Sequence, residues 1–317
     1  MWIFYLLFFV IACYALVKAG AILVKVLTMM SRYFRLTEYV FAFFLMTFAT
    51  VLPELFIGIT ASIRKLSAIP LGNAIGSNLV KVTFILGFIA IISKGLKIES
   101  KITKRDSWVV FFIALLPLLL LFDKQLSRAE GILLMIVFGW YIYHILKSKD
   151  AFRRRMDHIK KDAEQFKNLL KNILYFAIAV TVLLLSSWAV VESAKLIAKE
   201  LYLPLVLIGI ILVALGTSLP ELVFGVNAAI AKHEGLSLGT LIGSIVINST
   251  FILGLAAVIN PIQIENYRVI FVGGCFMMAA ILIANLFIAT KDKVSWKEGL
   301  FLILFYIGFL VAEFLLK

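Results

Sequence analysis

Residues 49–87 read ATVLPELFIGITASIRKLSAIPLGNAIGSNLVKVTFILG, and residues 216–254 read GTSLPELVFGVNAAIAKHEGLSLGTLIGSIVINSTFILG. The two stretches align without a gap at a constant offset of 167, with 19 identities in 39 positions. Shared apolar composition would match some Leu and Ile by chance. It would not align Pro53 with Pro220, Glu54 with Glu221 and Ser77 with Ser244. The chain carries an internal duplication, and a duplication at fixed offset governs the architecture.

The rest of the chain is apolar. Of its 317 residues 63% are hydrophobic and 15% charged, and the mean hydropathy is +1.06. A soluble domain is nearer half apolar, and several runs exceed the roughly 18 residues that cross a bilayer as a helix. With no dyad alternation of a membrane β-barrel, the class is all-α. About ten spans are expected, near 2–29, 37–63, 70–93, 107–122, 128–147, 171–200, 204–231, 236–259, 268–290 and 296–316. The N-terminus lacks a positive n-region and a small-residue cleavage site, so it reads as the first span. Cys13 and Cys275 both lie in apolar runs and read as buried small residues, with no disulfide framework or metal pair.

The organisation follows: a five-helix repeat over 1–147, a basic cytoplasmic linker over 148–170, and a second five-helix repeat over 171–317. Because five is odd, the second repeat enters the membrane in the opposite sense, the inverted pattern of secondary transporters, whose sites sit near the midplane. The net charge of +13 reads as basic loops and contact with anionic lipid headgroups rather than nucleic acid. With the linker inside, loops on that side hold 20 Lys and Arg against 8 on the other. That places both termini outside, in a cell membrane.

Glu54 and Glu221 lie deep in apolar segments, each just after a proline. A carboxylate there needs a cation, a proton or water. Pro53 and Pro220 remove a backbone donor and free carbonyls that can bind a hard cation. Thr50 and Thr217 lie four residues before the glutamates, one helical face if the helix runs through. Two Glu, two Thr and free carbonyls make an all-oxygen site suited to Na⁺ or Ca²⁺. The three His (His144, His158 and His233) fall near span ends or in loops. Gly72, Gly76 and Ser77 match Gly239, Gly243 and Ser244. The glycines read as close helix packing, and the serines as ligands or packing residues alike.

The segment GTSLPE followed by GSxxxN resembles the α-repeat of the cation/calcium antiporter superfamily, in its sodium/calcium exchanger branch. The resemblance implies ten spans in a 5+5 arrangement and no enzymatic activity. It also implies a central calcium site at Glu54 and Glu221 with flanking Na⁺ sites. Thr50 and Thr217 would be core ligands, and Ser218, Ser77, Ser244 and Asn248 would complete the flanking sites. The implied function is secondary-active antiport of Ca²⁺ for Na⁺ by alternating access. Spans 1 and 6 would slide past the rest, with no cofactor beyond the transported ions. No nucleotide-binding P-loop is present.

Two positions depart from the pattern. Val51 stands where Ser218 stands in the second repeat, so one oxygen is missing. Lys81 stands where Asn248 stands, four residues after Ser77 and on its face. Snorkelling toward lipid is costly at mid-span depth, so Lys81 is expected to pair with Glu54, Glu221 or both as a tethered substitute for a bound cation. The site then carries one negative charge instead of two. That leaves H⁺-coupled or monovalent exchange, a channel plugged by Lys81, or a non-transporting cation sensor as the alternatives to Ca²⁺/Na⁺ exchange.

Overall fold

The computed structural model describes residues 2–33, 47, 48, 50–97, 101–147, 163–231, 234–290 and 293–315. Residues 37–46 of the expected second span, most of the linker (148–162), His158 and His233 lie outside them. The described residues are mostly helical, as they must be where no water can satisfy the backbone. The helices are α1 (Trp2–Tyr33), α2 (Leu52–Ile63), α3 (Ala68–Val80), α4 (Leu86–Ile92), α5 (Lys101–Leu120), α6 (Arg128–Lys147) and α7 (Ala163–Glu200). They continue as α8 (Leu205–Ile208), α9 (Ala214–Thr217), α10 (Leu219–Ile230), α11 (Glu234–Ile247), α12 (Leu253–Ile259), α13 (Tyr267–Thr290) and α14 (Trp296–Leu315). Among the described residues five continuous segments are long and apolar enough to cross a bilayer, among them Ala68–Ile92 and Ser237–Ile259, and the pair Leu205–Thr217 and Leu219–Ile230, bent by 40°, makes a sixth if counted as one span.

Two helix starts move by six residues or more. Helix α5 starts at Lys101, six residues before the expected span, and α7 starts at Ala163, inside the expected linker. In both cases the helix extends past the apolar run into its charged flank, where hydropathy gives no signal. Cys275 is exposed and only Cys13 is buried; an apolar helix face toward lipid needs no burial within the protein.

The repeat is legible in fine detail. Wide π-helical turns interrupt α3/α4 at Lys81–Ile85 and α11/α12 at Asn248–Ile252, again 167 residues apart. In each, a threonine hydroxyl bonds the carbonyl four residues back: Thr83 to Leu79 at 2.5 Å and Thr250 to Val246 at 2.6 Å. A third wide turn, Gly209–Val213, joins α8 to α9. Helices α6 and α14 start with matching capping boxes, in which the Ser127 and Ser295 hydroxyls each donate to Glu130 and Glu298 at 2.7 Å.

The halves are clipped to each other. Strand β1 (Leu96–Lys97) pairs antiparallel with β4 (Lys293–Val294), and β2 (Gln125–Leu126) pairs with β3 (Ile262–Gln263). Each clip joins loops expected on the same side of the membrane. Backbone closeness follows the same exchange. A Cβ on Gly87 would lie 2.5 Å from the Gly299 carbonyl oxygen, and one on Gly254 would lie 2.6 Å from that of Gly131.

Packing divides the helices into two bodies. One core gathers α3–α6 with α8–α14. A second forms where α1 (Phe9, Cys13, Leu16) meets α7 (Leu183, Val190, Ala194), with Ile57 and Ala61 of α2 against it. The α1/α7 pair also touches both proline breaks. Gly20 faces Pro53, and Cys13 Sγ would lie 2.6 Å from a Cβ on Gly216.

Candidate functional site

Each repeat builds its site from a broken helix and a widened one. The helix breaks at Val51 and at Ser218, and Pro53 and Pro220 enter the first turns of α2 and α10. Proline is at ease there because its missing N–H would be unpaired anyway. The breaks fall between Thr50 and Glu54 and between Thr217 and Glu221, so the expected continuous helical face joining each pair does not exist. The glutamates instead lie in the first turns of α2 and α10, with 0% and 1% exposure.

Between them lies Lys81, the first residue of a wide turn and fully buried at 0% exposure. Its Nζ is 3.1 Å from Glu54 Oε1 and 2.9 Å from Glu221 Oε1. These are ion-pair distances, although the contacts are not aligned as hydrogen bonds. Oε2 of Glu54 and of Glu221 has no hydrogen-bond partner among the described residues. Ser218 Oγ and both amide atoms of Asn248 are likewise buried and unpartnered. Ser218 and Glu221 have the Ser-x-x-Glu spacing of a capping box, yet the cap is not made. The same spacing closes fully at Ser127 and Ser295. Left open here, it presents oxygens to the site.

The hydroxyls are otherwise engaged. Thr50 donates to the Thr47 carbonyl at 3.1 Å, and Ser244 to that of Leu241 at 2.9 Å. Thr217 donates to the Val213 carbonyl at 3.0 Å. Ser77 Oγ and Thr217 Oγ1 both lie 3.2 Å from Asn73 Oδ1. Asn73 thus links α3 to the break before α10, a role the sequence reading missed. Its spacing was the one signal in the sequence: a polar residue about one turn before Ser77 and two before Lys81, on the same face. A second missed link runs from Asn78 Nδ2 to Ser249 Oγ at 2.8 Å. Close packing accounts for three of the four repeat glycines: Gly72 and Gly76 press on the backbone at the Gly209–Val213 turn, and Gly243 on Thr47.

Buried oxygens lacking donors, around two carboxylates, fit a hard cation. Among the described residues no cluster of three or more His, Cys, Asp or Glu exists.

The chain matches the family model for sodium/calcium exchanger protein over residues 4–147 and 171–315. It belongs to the sodium/calcium exchanger protein family. The sodium/calcium exchanger MaX1 of Methanosarcina acetivorans is 30% identical, the alignment covering 94% of this chain and 95% of that protein. The inner membrane protein YrbG of Escherichia coli is 26% identical over 77% and 76% of the two chains. A structure of the sodium-calcium exchanger NCX_Mj, soaked with Na⁺ and Sr²⁺, superposes with a TM-score of 0.67 at 25% identity, covering 98% of this chain and 99% of that one. The H⁺/Ca²⁺ exchanger CAX shares the fold, with a TM-score of 0.76 at 17% identity over 96% and 82%.

Proposed function

We propose that this exchanger-family chain is a secondary-active cation antiporter whose transported ion binds between Glu54 and Glu221. One observation carries the reading: two wholly buried glutamates, supplied by corresponding helices of the two repeats, meet at one point with unpartnered oxygens around them. Burying such charges is costly without a cation to neutralise them. Thr50, Ser77, Thr217, Ser218, Ser244 and Asn248 complete the proposed ligand set, with Asn73 ordering Ser77 and Thr217.

The proposed architecture is ten spans, as two inverted five-helix repeats over 1–147 and 171–317 with both termini outside. The cross-half clips and matched wide turns support it. Access alternates as the α1/α7 pair slides over the core. That pair has its own packing cluster, and α1 lies against both proline breaks, so its displacement would uncover the site to one side and then the other. The chemistry is ion binding and release, with no bond made or broken.

Ca²⁺ exchanged for Na⁺ is the pairing named in its relatives. The Lys81 ion pairs favour a second reading, exchange with one positive charge fewer. Uptake of ⁴⁵Ca²⁺ and ²²Na⁺ into proteoliposomes, under outward Na⁺ and outward H⁺ gradients applied separately, tests both. Counterflow abolished by Glu221→Gln is the expected result. Flux that neither saturates nor requires a counter-ion would mean a channel, and no flux of either ion would mean a sensor.

A further inference from the structure

The repeats differ most where charge matters most. Lys81 brings an ammonium to the carboxylates, while Asn248, its counterpart, brings a neutral amide. Both Oε1 atoms face that ammonium and both Oε2 atoms are left over, together with Ser218 Oγ and Asn248 Oδ1. On formal charge, two carboxylates and one ammonium sum to −1.

We infer that Lys81 is a resident cation tethered in one position of the site, and that the mobile cargo is a single monovalent cation of the Na⁺ class held by the oxygens Lys81 leaves free. This rests on the reading of Glu54 and Glu221 as the transport site and names the ion class it takes. A monovalent ion brings the buried set to neutrality. A divalent ion leaves one uncompensated positive charge away from water, which is strongly unfavourable. Coordination points the same way. Ca²⁺ takes 6–8 oxygens, yet here two carboxylate oxygens are taken up by Nζ, and Val51 offers none where Ser218 offers one.

The cavity beside Lys81 offers its ammonium no comparable partner. The Lys81 side chain lines this space of ≈30 Å³, walled chiefly by Leu86, Val110, Leu241 and Ile245. The polar groups at its margin besides Lys81 are Ser107 and Asn285, and the Asn285 amide already donates to the Ser107 carbonyl at 2.9 Å. No carboxylate lines it. An ammonium moved there would exchange two ion pairs for apolar walls.

The test is self-exchange by the full-length protein in proteoliposomes, with ²²Na⁺ or ⁸⁶Rb⁺ outside and the same unlabelled ion inside, and Ca²⁺ as competitor. The native protein is expected to exchange the monovalent ion, to take up no ⁴⁵Ca²⁺ and to resist millimolar Ca²⁺. Lys81→Asn and Lys81→Gln are expected to raise the Ca²⁺-over-Na⁺ preference by about 100- to 1000-fold, the effect of removing a unit charge about 5 Å from the ion. Lys81→Arg keeps the charge and should keep the rejection of Ca²⁺. Native uptake of ⁴⁵Ca²⁺, or an unchanged preference in Lys81→Asn, overturns the inference. A silent native protein with an active Lys81→Asn also overturns it, since Lys81 would then block the site outright. Absence of exchange in every form removes the antiporter reading itself. Should the variants fail to insert, the competition measured on native protein still decides.

Discussion

Replacing Lys81 by Met removes the only cation within ion-pair reach of Glu54 and Glu221 among the described residues, at nearly unchanged volume. Nζ lies 3.1 and 2.9 Å from the two Oε1 atoms. These oxygens therefore stand at most about 6 Å apart, the sum of those distances. Two bare carboxylates at about 6 Å repel by about 3 kcal/mol at an effective dielectric of about 20. Stripping one partner from a buried ion pair costs about 3–5 kcal/mol, so the two routes agree in scale. Lys81→Met should then unfold in detergent roughly 5–8 °C below the native protein in cation-poor buffer. Adding a cation at about 100 times its dissociation constant should return about 2.7 kcal/mol. The triple variant Lys81→Met, Glu54→Gln, Glu221→Gln leaves no buried charge at this site and should recover most of the loss without any cation. Thermal unfolding followed by tryptophan fluorescence or by size-exclusion chromatography reads all three forms. A Lys81→Met protein as stable as native, or a triple variant no better than the single one, would refute the charge argument.

Arg64 pairs with Glu192 of α7 and stacks over Trp188 at 5.5 Å, and Thr60 Oγ meets Ser187 Oγ at 2.7 Å. This seam ties α7 to α2, so on the proposed sliding Arg64→Ala and Glu192→Ala should speed ion exchange while showing a coupling of about 0.5–1 kcal/mol in a double-mutant cycle; additive effects would mean that the pair does no latching. Gly87→Ala and Gly254→Ala each push a methyl against the opposite backbone and should each cost about 1–3 kcal/mol, read as equal drops in unfolding temperature. Asn73→Ala withdraws the acceptor shared by Ser77 and Thr217 and should weaken cation binding several-fold, at a stability cost of about 1–3 kcal/mol. Titration calorimetry showing unchanged affinity would leave Asn73 a packing residue only.

Much of this was legible in the chain because the duplication reports itself twice. Pro53, Glu54 and Ser77 would pass unnoticed in a single apolar run, whereas their recurrence 167 residues later marks them. Lys81 was visible for the opposite reason, as the position where two otherwise parallel copies part. The wide turns at Lys81 and Asn248 were not visible, since one extra residue per turn leaves no trace in hydropathy. Asn73 escaped because its counterpart is Thr240, so no identity flagged it, and because its role depends on Thr217 from the other half. The start of α7 at Ala163 was hidden by charge: Glu164, Lys167 and Lys171 read as loop, although such residues are good helix formers.

The strand clips and the paired glycine crossings never join a half to itself; each joins one half to the other. Neither half is thus a self-sufficient module, despite the shared sequence. Cut between residues 148 and 162 and expressed as two genes, the pieces should accumulate only together, each serving as the other's folding template, and either alone should be cleared as an orphan subunit. The duplication has made one molecule that behaves as an obligate heterodimer sharing a single polypeptide.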